Sequence, residues 1–474
     1  MRTSRSDFIA LFLFLTFTFL LLSNAYVGRI FAQGDESFLK IEPIGHVLAE
    51  INKNYVEEPD LDKVVEGALV GMMNRLDKHS AYISALDYRQ LQDDTQGEFD
   101  GIGVTIKLDD DQNIVIMQPL EGSPAAKAGV QQGDLIYKID GTTTTGMSLA
   151  DAANRIKGPR GTTVHLTLVR RHNGDQQAEI VELDIKRDKV PLFSISEARM
   201  LDKGIAYLRI RDFKTTTAKE TADKIHDLEK QGMKALVLDL RWNPGGLLTA
   251  SKEACELFLP KNKLVTYTKG RKAGTGSPTE NMKLFTEREP VIPENLPIAV
   301  LVSDSTASSA EIVTGALQYW SRAIIIGEKT YGKGSVQTII PLQRPEGSAL
   351  RLTTALYYTP AEVTIDNQGI KPDVEVPMDK KEQAELLNQM YESFKDDLSK
   401  LNQQNHGSVT GNAPAEGLID DKPLQKAVEI LTENAVFQNL LAKYHKDPRE
   451  TQVAATGETS DESRAEGLEA LVEQ

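Results

Sequence analysis

Ser308 and Lys333 are the residues whose types and setting first suggest chemistry. Ser308 heads an apolar helix-like run in Thr306-Ala307-Ser308-Ser309-Ala310-Glu311-Ile312. Lys333 sits between two glycines in Tyr331-Gly332-Lys333-Gly334-Ser335-Val336-Gln337, and a short apolar strand, residues 323–327, lies between the two segments. A serine hydroxyl is a weak nucleophile at neutral pH and needs a base beside it. Lysine can be that base only after losing its proton. At an ordinary pKa near 10.4, about one lysine in a few thousand is neutral at pH 7, whereas burial lowers a lysine by up to about 3–5 pH units. The flanking glycines let this turn approach another element closely. The pair therefore points to a serine hydrolase that works without histidine. Two plainer readings stay open on local sequence: Ser308 and Glu311 also fit a capping box, and Lys333 also fits a solvated turn.

Four further patterns bear on the same chemistry. Gln337 lies four residues after Lys333 in a strand-like stretch, where its amide oxygen could accept a lysine proton and aim the amine; a polar side chain of a sheet explains it equally well. In Asp239-Leu240-Arg241-Trp242-Asn243-Pro244-Gly245-Gly246 a buried strand runs into a Pro-Gly-Gly turn. Backbone amides in such a turn can bind the oxyanion of a tetrahedral intermediate, each donor worth about 2.7–4 kcal/mol; a tight strand–helix turn explains the same residues. Ser309 follows the serine at a helix N-terminus, where its amide is free to donate. In Gly101-Ile102-Gly103-Val104 a Gly-apolar-Gly loop precedes a strand, and its consecutive amides could take a carboxylate while a peptide adds along the strand edge. A plain hairpin turn fits there too.

Elements that could position these groups follow along the chain. Residues 44–91 read as helical, with Val47, Ile51 and Tyr55 and then Val65, Leu69, Met72, Met73 and Leu76 near helical spacing. Residues 97–187 read as a small β-rich domain, with strands at 114–117, 134–141 and 164–169 and a short helix at 148–156. Residues 188–378 carry fully apolar strands at 235–240, 298–302 and 323–327, with helical patterns at 247–259 and 308–320. Buried strands alternating with helices predict a parallel sheet covered by helices, with reactive groups at the carboxyl ends of the strands. Helical stretches at 382–401 and 423–444 make up a C-terminal segment spanning 379–445, and the acidic tail 446–474 is expected to be disordered.

The chain has 474 residues, too many for one ordinary domain. Its net charge of −15 argues against nucleic acid as a partner. Arg2 and Arg5 precede an apolar run over residues 8–22, followed by the small residues Ser23, Asn24, Ala25 and Ala32. Residues 1–33 thus read as a secretory signal or an uncleaved membrane anchor, and residues 34–96 as an N-terminal helical segment. Both readings of the leader place the body outside the cytoplasm, in the periplasm or cell envelope. Cys255 is the single cysteine and sits in an apolar helical pattern, so no internal disulfide is expected. The seven histidines form no cluster with metal-site spacing, and no metal or cofactor is called for.

Taken together and in this order, these motifs resemble the carboxyl-terminal processing peptidases, the tail-specific serine proteases of bacteria and chloroplasts. The resemblance runs over residues 44–376 and, more loosely, the helix after Pro423. It rests on the 101–103 loop with the 122–134 stretch, Tyr207-Leu208-Arg209-Ile210, residues 239–246, 307–311 and 332–337, and Gly369-Ile370-Lys371-Pro372-Asp373. It implies a PDZ domain inserted before an α/β core of ClpP/crotonase type. It also implies Ser308 as nucleophile, Lys333 as base, Gln337 in support, and the amides of Gly245 and Ser309 as oxyanion donors. Substrates would be proteins with apolar C-termini captured by the PDZ loop, and helices outside the core could support a homo-oligomer or an envelope adaptor. This chain departs from the family at Ser309 and Ala310, whose types are exchanged, at Trp242 in place of asparagine, and at Ala361-Glu362-Val363-Thr364, which lacks a Gly-Arg pair. Two competing functions are a catalytically silent PDZ scaffold or chaperone and, from core shape alone, an acyl-CoA enzyme, for which no nucleotide motif is present.

Overall fold

The computed structural model describes residues 40–120, 122–171, 178–271, 281–390 and 420–444, in two units, residues 1–82 and 83–474. The apolar run 8–22 and the tail 446–474 lie outside the described residues. Among those described, no helix is long and apolar enough to cross a membrane.

The first unit holds α1 (Glu42–Asn54) and α2 (Leu61–Met73). Pro59 disfavours helix at the residue before it, and Asp60 then caps α2 by accepting from the Lys63 N–H at 3.3 Å. The segment read as continuously helical is thus broken here. It breaks again before α3 (Ala85–Gln96) in the second unit, which Ser84 caps.

In the second unit the chain enters and leaves a small β-rich domain side by side. β1 (Glu98–Gly101) pairs antiparallel with β7 (Asp188–Pro191), Gly101 opposite Asp188. Between them β2 (Val104–Leu108), β3 (Ile114–Pro119), β4 (Leu135–Ile139), β5 (Thr163–Arg171) and β6 (Ala178–Lys186) form an antiparallel sheet in that order. Alternate residues Ile114 and Ile116, and Val164, Leu166 and Leu168, point into its core with α4 (Leu149–Ile156).

The larger part is a sheet of β8 (Ile195–Met200), β9 (Ile205–Ile210), β10 (Ala235–Asp239), β12 (Ile298–Val302), β13 (Ile324–Gly327) and β16 (Val374–Glu375), in that order. All neighbours are parallel except β8 with β9; Leu238 stands opposite Leu208 and Val300, and Val300 opposite Ile325. Both faces are buried, which is why β10, β12 and β13 are unbroken apolar runs. Leu236 and Leu238 face a core with α5 (Thr217–Lys230), α6 (Leu248–Glu256) and α7 (Ser309–Tyr319). Ala235 and Val237 face the opposite way, onto α8 (Lys422–Thr432) and α9 (Asn434–Tyr444) through Ala427, Ile430, Leu431 and Phe437. The stretch 423–444, read as one helix, is two. Glu433 leaves the helical region at φ −103°, ψ 85°, which brings Phe437 to the sheet.

A second layer contains a long hairpin that sequence patterning only half revealed. β14 (Ser335–Pro341) pairs antiparallel with β15 (Ala349–Tyr358), which also pairs with β11 (Leu264–Gly270).

Candidate active site

Three loops meet where the parallel strands end. After β12 the chain turns through residues 303–307, fixed by Thr306 Oγ1, which donates to the Leu240 carbonyl at 2.8 Å. Ser308 follows in a rare conformation, φ 56° and ψ −120°, then α7 begins. Such a backbone costs roughly 1–3 kcal/mol and persists only where its surroundings hold it. Ser308 is half-buried, and Ser309, which is buried, donates its hydroxyl to the Gly246 carbonyl at 2.9 Å.

The second loop, after β13, carries Lys333 toward β14. Glu311, fully buried one turn into α7, ties it to the first. Its Oε2 accepts the N–H of Ser308 and the N–H of Lys333, both at 2.9 Å. Its Oε1 accepts the Gly332 N–H at 2.7 Å and the Thr330 hydroxyl at 2.5 Å. The Ser308 and Lys333 amides are thus no further apart than two hydrogen bonds laid end to end. Burial raises the Glu311 carboxyl, and the Thr330, Lys333, Gly332 and Ser308 hydrogen bonds oppose that rise. Gly334 lets the turn close: a Cβ there would lie 2.5 Å from the Asp366 nitrogen.

Burial pushes the half-buried Lys333 amine below its usual pKa; the Arg351 charge adds to this, and the Glu311 charge works against it. Gln337 follows a bulge between Val336 and Gln337. Its Nε2 donates to Ser335 Oγ at 2.8 Å and, more weakly, to Thr353 Oγ1 at 3.4 Å, which leaves its carbonyl oxygen as the acceptor end.

The third loop is residues 239–246. Asn243, fully buried, has its carbonyl taken by the Ala307 N–H at 2.9 Å and donates Nδ2 to the Ile210 carbonyl at 2.9 Å. Its Oδ1 accepts the Gly245 N–H at 2.8 Å, so that expected oxyanion donor is engaged here. Gly245 itself touches the serine: at φ +97° a Cβ would lie 2.7 Å from Ser308 Cβ and 2.8 Å from the Ser309 nitrogen. Among the described residues the Ser309 N–H has no hydrogen-bond partner. Beneath this loop Arg241 is buried against Asp239, bonded at 2.7 Å, and against Asp421, bonded at 2.7 and 2.8 Å; Tyr207 donates to Asp239 at 2.6 Å. Asp421 also accepts the Leu424 N–H and so caps α8. Trp242 has a left-handed backbone, φ 57°, and its ring lies 5.3 Å from Arg209 and 5.1 Å from Arg241.

The loop 101–104 lies in the small domain. β2 is an end strand of its sheet, with α4 beside it. The carbonyls of Ile102 and Gly103 are taken by Ala125 N–H and Leu120 N–H, each at 2.8 Å. Their own N–H groups have no partner among the described residues. Val104 opens β2 with its side chain half-buried.

Ser308, Ser309, Lys333 and Gly245 are therefore brought together at one end of the core, and Gln337 lies four residues beyond the lysine on β14. Two further residues belong with them. Glu311 was visible only as a capping partner, and Tyr357, buried on β15, was not singled out at all. The alternation of apolar and β-branched residues over 349–358 was the available signal for its strand. Among the described residues no group of three or more His, Cys, Asp or Glu is placed to hold a metal ion. Cys255 is buried, and its thiol is pushed up past the range in which it would react.

Comparison with known proteins adds the following. The family model for peptidase family S41 matches residues 204–376, and that for the PDZ domain matches residues 90–169. A carboxy-terminal-processing protease of Bartonella bacilliformis is 35% identical over 401 residues, covering 83% of this chain and 89% of that protein. The carboxy-terminal processing protease CtpA of Bacillus subtilis is 36% identical over 377 residues, covering 76% and 77% respectively. The solved structure of a photosystem II D1 C-terminal processing protease aligns at 26% identity and a TM-score of 0.39, covering 70% of this chain and 92% of that one.

Proposed function

The chain belongs to the carboxy-terminal processing serine proteases of peptidase family S41 and carries a PDZ domain; from this premise we propose that Ser308 is its nucleophile and Lys333 the base that activates it. The observation that carries the reading is the shared carboxylate of Glu311, which holds the backbones of both residues on one atom. Neutral Lys333 takes the Ser308 proton as Oγ attacks the scissile carbonyl carbon. The oxyanion that forms meets the free N–H of Ser309. The Gly245 N–H joins it by exchanging Asn243 Oδ1 for the oxyanion. Collapse breaks the C–N bond, and Lys333 returns the proton to the leaving amine. Lys333 then takes a proton from the water that attacks the acyl carbon and gives it to Ser308 Oγ as the acyl–Oγ bond breaks. The free oxygen of Gln337 accepts from the lysine amine and keeps it aimed.

Substrate enters by its C-terminus. The unpartnered amides of Ile102 and Gly103 take the terminal carboxylate, and the last residues add along the edge of β2 from Val104 onward. Gly101 closes β1 just before them, and Gly103, at φ 76°, supplies the turn that exposes them. The apolar run over residues 8–22 supports a site of action outside the cytoplasm, in the envelope.

The test is cleavage of a peptide with an apolar C-terminus. Ser308→Ala and Lys333→Ala should each abolish it while circular dichroism and PDZ binding of the peptide stay normal. Full cleavage by either variant refutes the assignment. Fractionation of cells that make the full chain tests the location; protein confined to the cytoplasm would refute that part.

A further inference from the structure

We propose that Tyr357 is a positioning residue of the proteolytic site, its buried phenol and its backbone N–H together gripping the turn that carries Lys333. Tyr357 is 2% exposed. Its ring packs in the same apolar core as Val336, Ala355 and Ile365. Its backbone N–H donates to the Gly334 carbonyl at 2.8 Å, and its hydroxyl donates to the Lys333 carbonyl. The tyrosine therefore grips the lysine turn at two successive carbonyls. Glu311 ties that turn to the serine by accepting the Ser308 and Lys333 N–H groups on one oxygen.

A phenol has one proton, and the Lys333 carbonyl takes it. Burial and the charge of Glu311 push the phenol well above its ordinary range. Tyr357 stays neutral through the working pH range and is no base itself. Its role is geometric: it fixes the turn that carries the lysine, while Glu311 holds the Lys333 and Ser308 backbones together.

This inference rests on Ser308 being the nucleophile, and the experiment separates the two. Tyr357→Phe removes one oxygen and keeps the ring. On a peptide with an apolar C-terminus kcat should fall about 10–100-fold with KM changed less than about twofold, since misplacing reacting groups costs rate rather than binding. Labelling of Ser308 by a fluorophosphonate should slow in parallel. Tyr358→Phe, whose ring stacks on Tyr267 at a centroid distance of 5.2 Å, should leave both rates unchanged. Cleavage by Ser308→Ala would show that the nucleophile is misassigned. Silence of that variant beside an unaltered or faster Tyr357→Phe would overturn the role of the tyrosine alone. Should Tyr357→Phe fail to fold, 4-fluorophenylalanine at position 357 keeps ring and size while removing the donor. It should lower kcat severalfold at constant KM, and unchanged kcat in that folded protein overturns the proposal.

Discussion

Ser308 and Lys333 hang from a single oxygen atom. Glu311 Oε2 takes both of their backbone N–H groups at 2.9 Å, although 25 residues separate them along the chain. The partner oxygen holds Thr330 and Gly332, so the loop that brings the lysine is closed by a residue of the serine's own helix. Replacing Glu311 by alanine leaves three buried N–H groups and a hydroxyl without their acceptor. At about 1–3 kcal/mol for each unsatisfied group, stability should fall by at least ~3 kcal/mol. Urea denaturation measures that loss. In the protein that still folds, kcat/KM should drop more than about 100-fold, because the two reacting groups lose their common anchor. Wild-type turnover by Glu311→Ala would remove this carboxylate from the explanation.

Gly245 admits no side chain beside the nucleophile. A methyl group there would meet Ser308 Cβ at 2.7 Å and the Ala307 carbonyl at 2.9 Å, on a backbone at φ +97°. Gly245→Ala should cost about 1–3 kcal/mol in strain and clash. Its effect on kcat should be far larger than on peptide affinity, because the site of contact is distant in sequence and domain from the loop 101–104. Comparing kcat with the dissociation constant for a C-terminal peptide checks this.

Arg351 holds the Lys333 amine down by repulsion, in concert with burial. Activity needs the neutral amine, so the acid limb of the pH–rate profile follows the lysine. Arg351→Ala removes a cation and lets that pKa rise, which should move the acid limb to higher pH. Arg351 is exposed, so added salt should screen its charge and shift the wild-type limb the same way. A limb that stays in place in both experiments would show that burial alone sets the amine.

Asp373 makes stability depend on pH. Burial pushes its carboxyl from an ordinary 3.8 to about 6, against the Ile325 N–H and Gln318 amide that it accepts at 2.8 and 2.7 Å. Folding favours the protonated form, so the contribution is whole below about pH 3.8 and is lost as the pH rises through about 6. The difference is about 3 kcal/mol at most. Relative to Asp373→Asn, the wild type should gain stability when the pH falls from about 7 to about 4. Urea midpoints of both proteins across that range give the comparison; parallel curves would mean that Asp373 does not take up the proton.

The parts of this molecule that were legible in sequence are those where one physical demand dominates. Burial on both faces makes β10, β12 and β13 largely continuous apolar runs. Ser308 stood out at the head of an apolar helical run, Lys333 between two glycines, and the Pro-Gly-Gly turn at the end of a buried strand. β15 was less legible: Arg351, Thr353 and Thr354 interrupt its apolar residues because one side of the hairpin is polar, and Tyr357 went unremarked with it. The break at Glu433 had no glycine or proline to announce it. The engagement of the Gly245 N–H by Asn243 is a choice between two acceptors for one amide, and no local pattern encodes such a choice.

Arg241 lies 180 residues before Asp421, whose carboxylate it clasps with two nitrogens. The strand that leads into the Pro-Gly-Gly turn is thus finished by residues that are synthesised long after it. While the chain is still emerging, the guanidinium faces Asp239 without its second anion, and one side of the central sheet is bare of α8 and α9. A protease assembled in this sequence completes the support of its Pro-Gly-Gly turn only after residues 420–444 have been made.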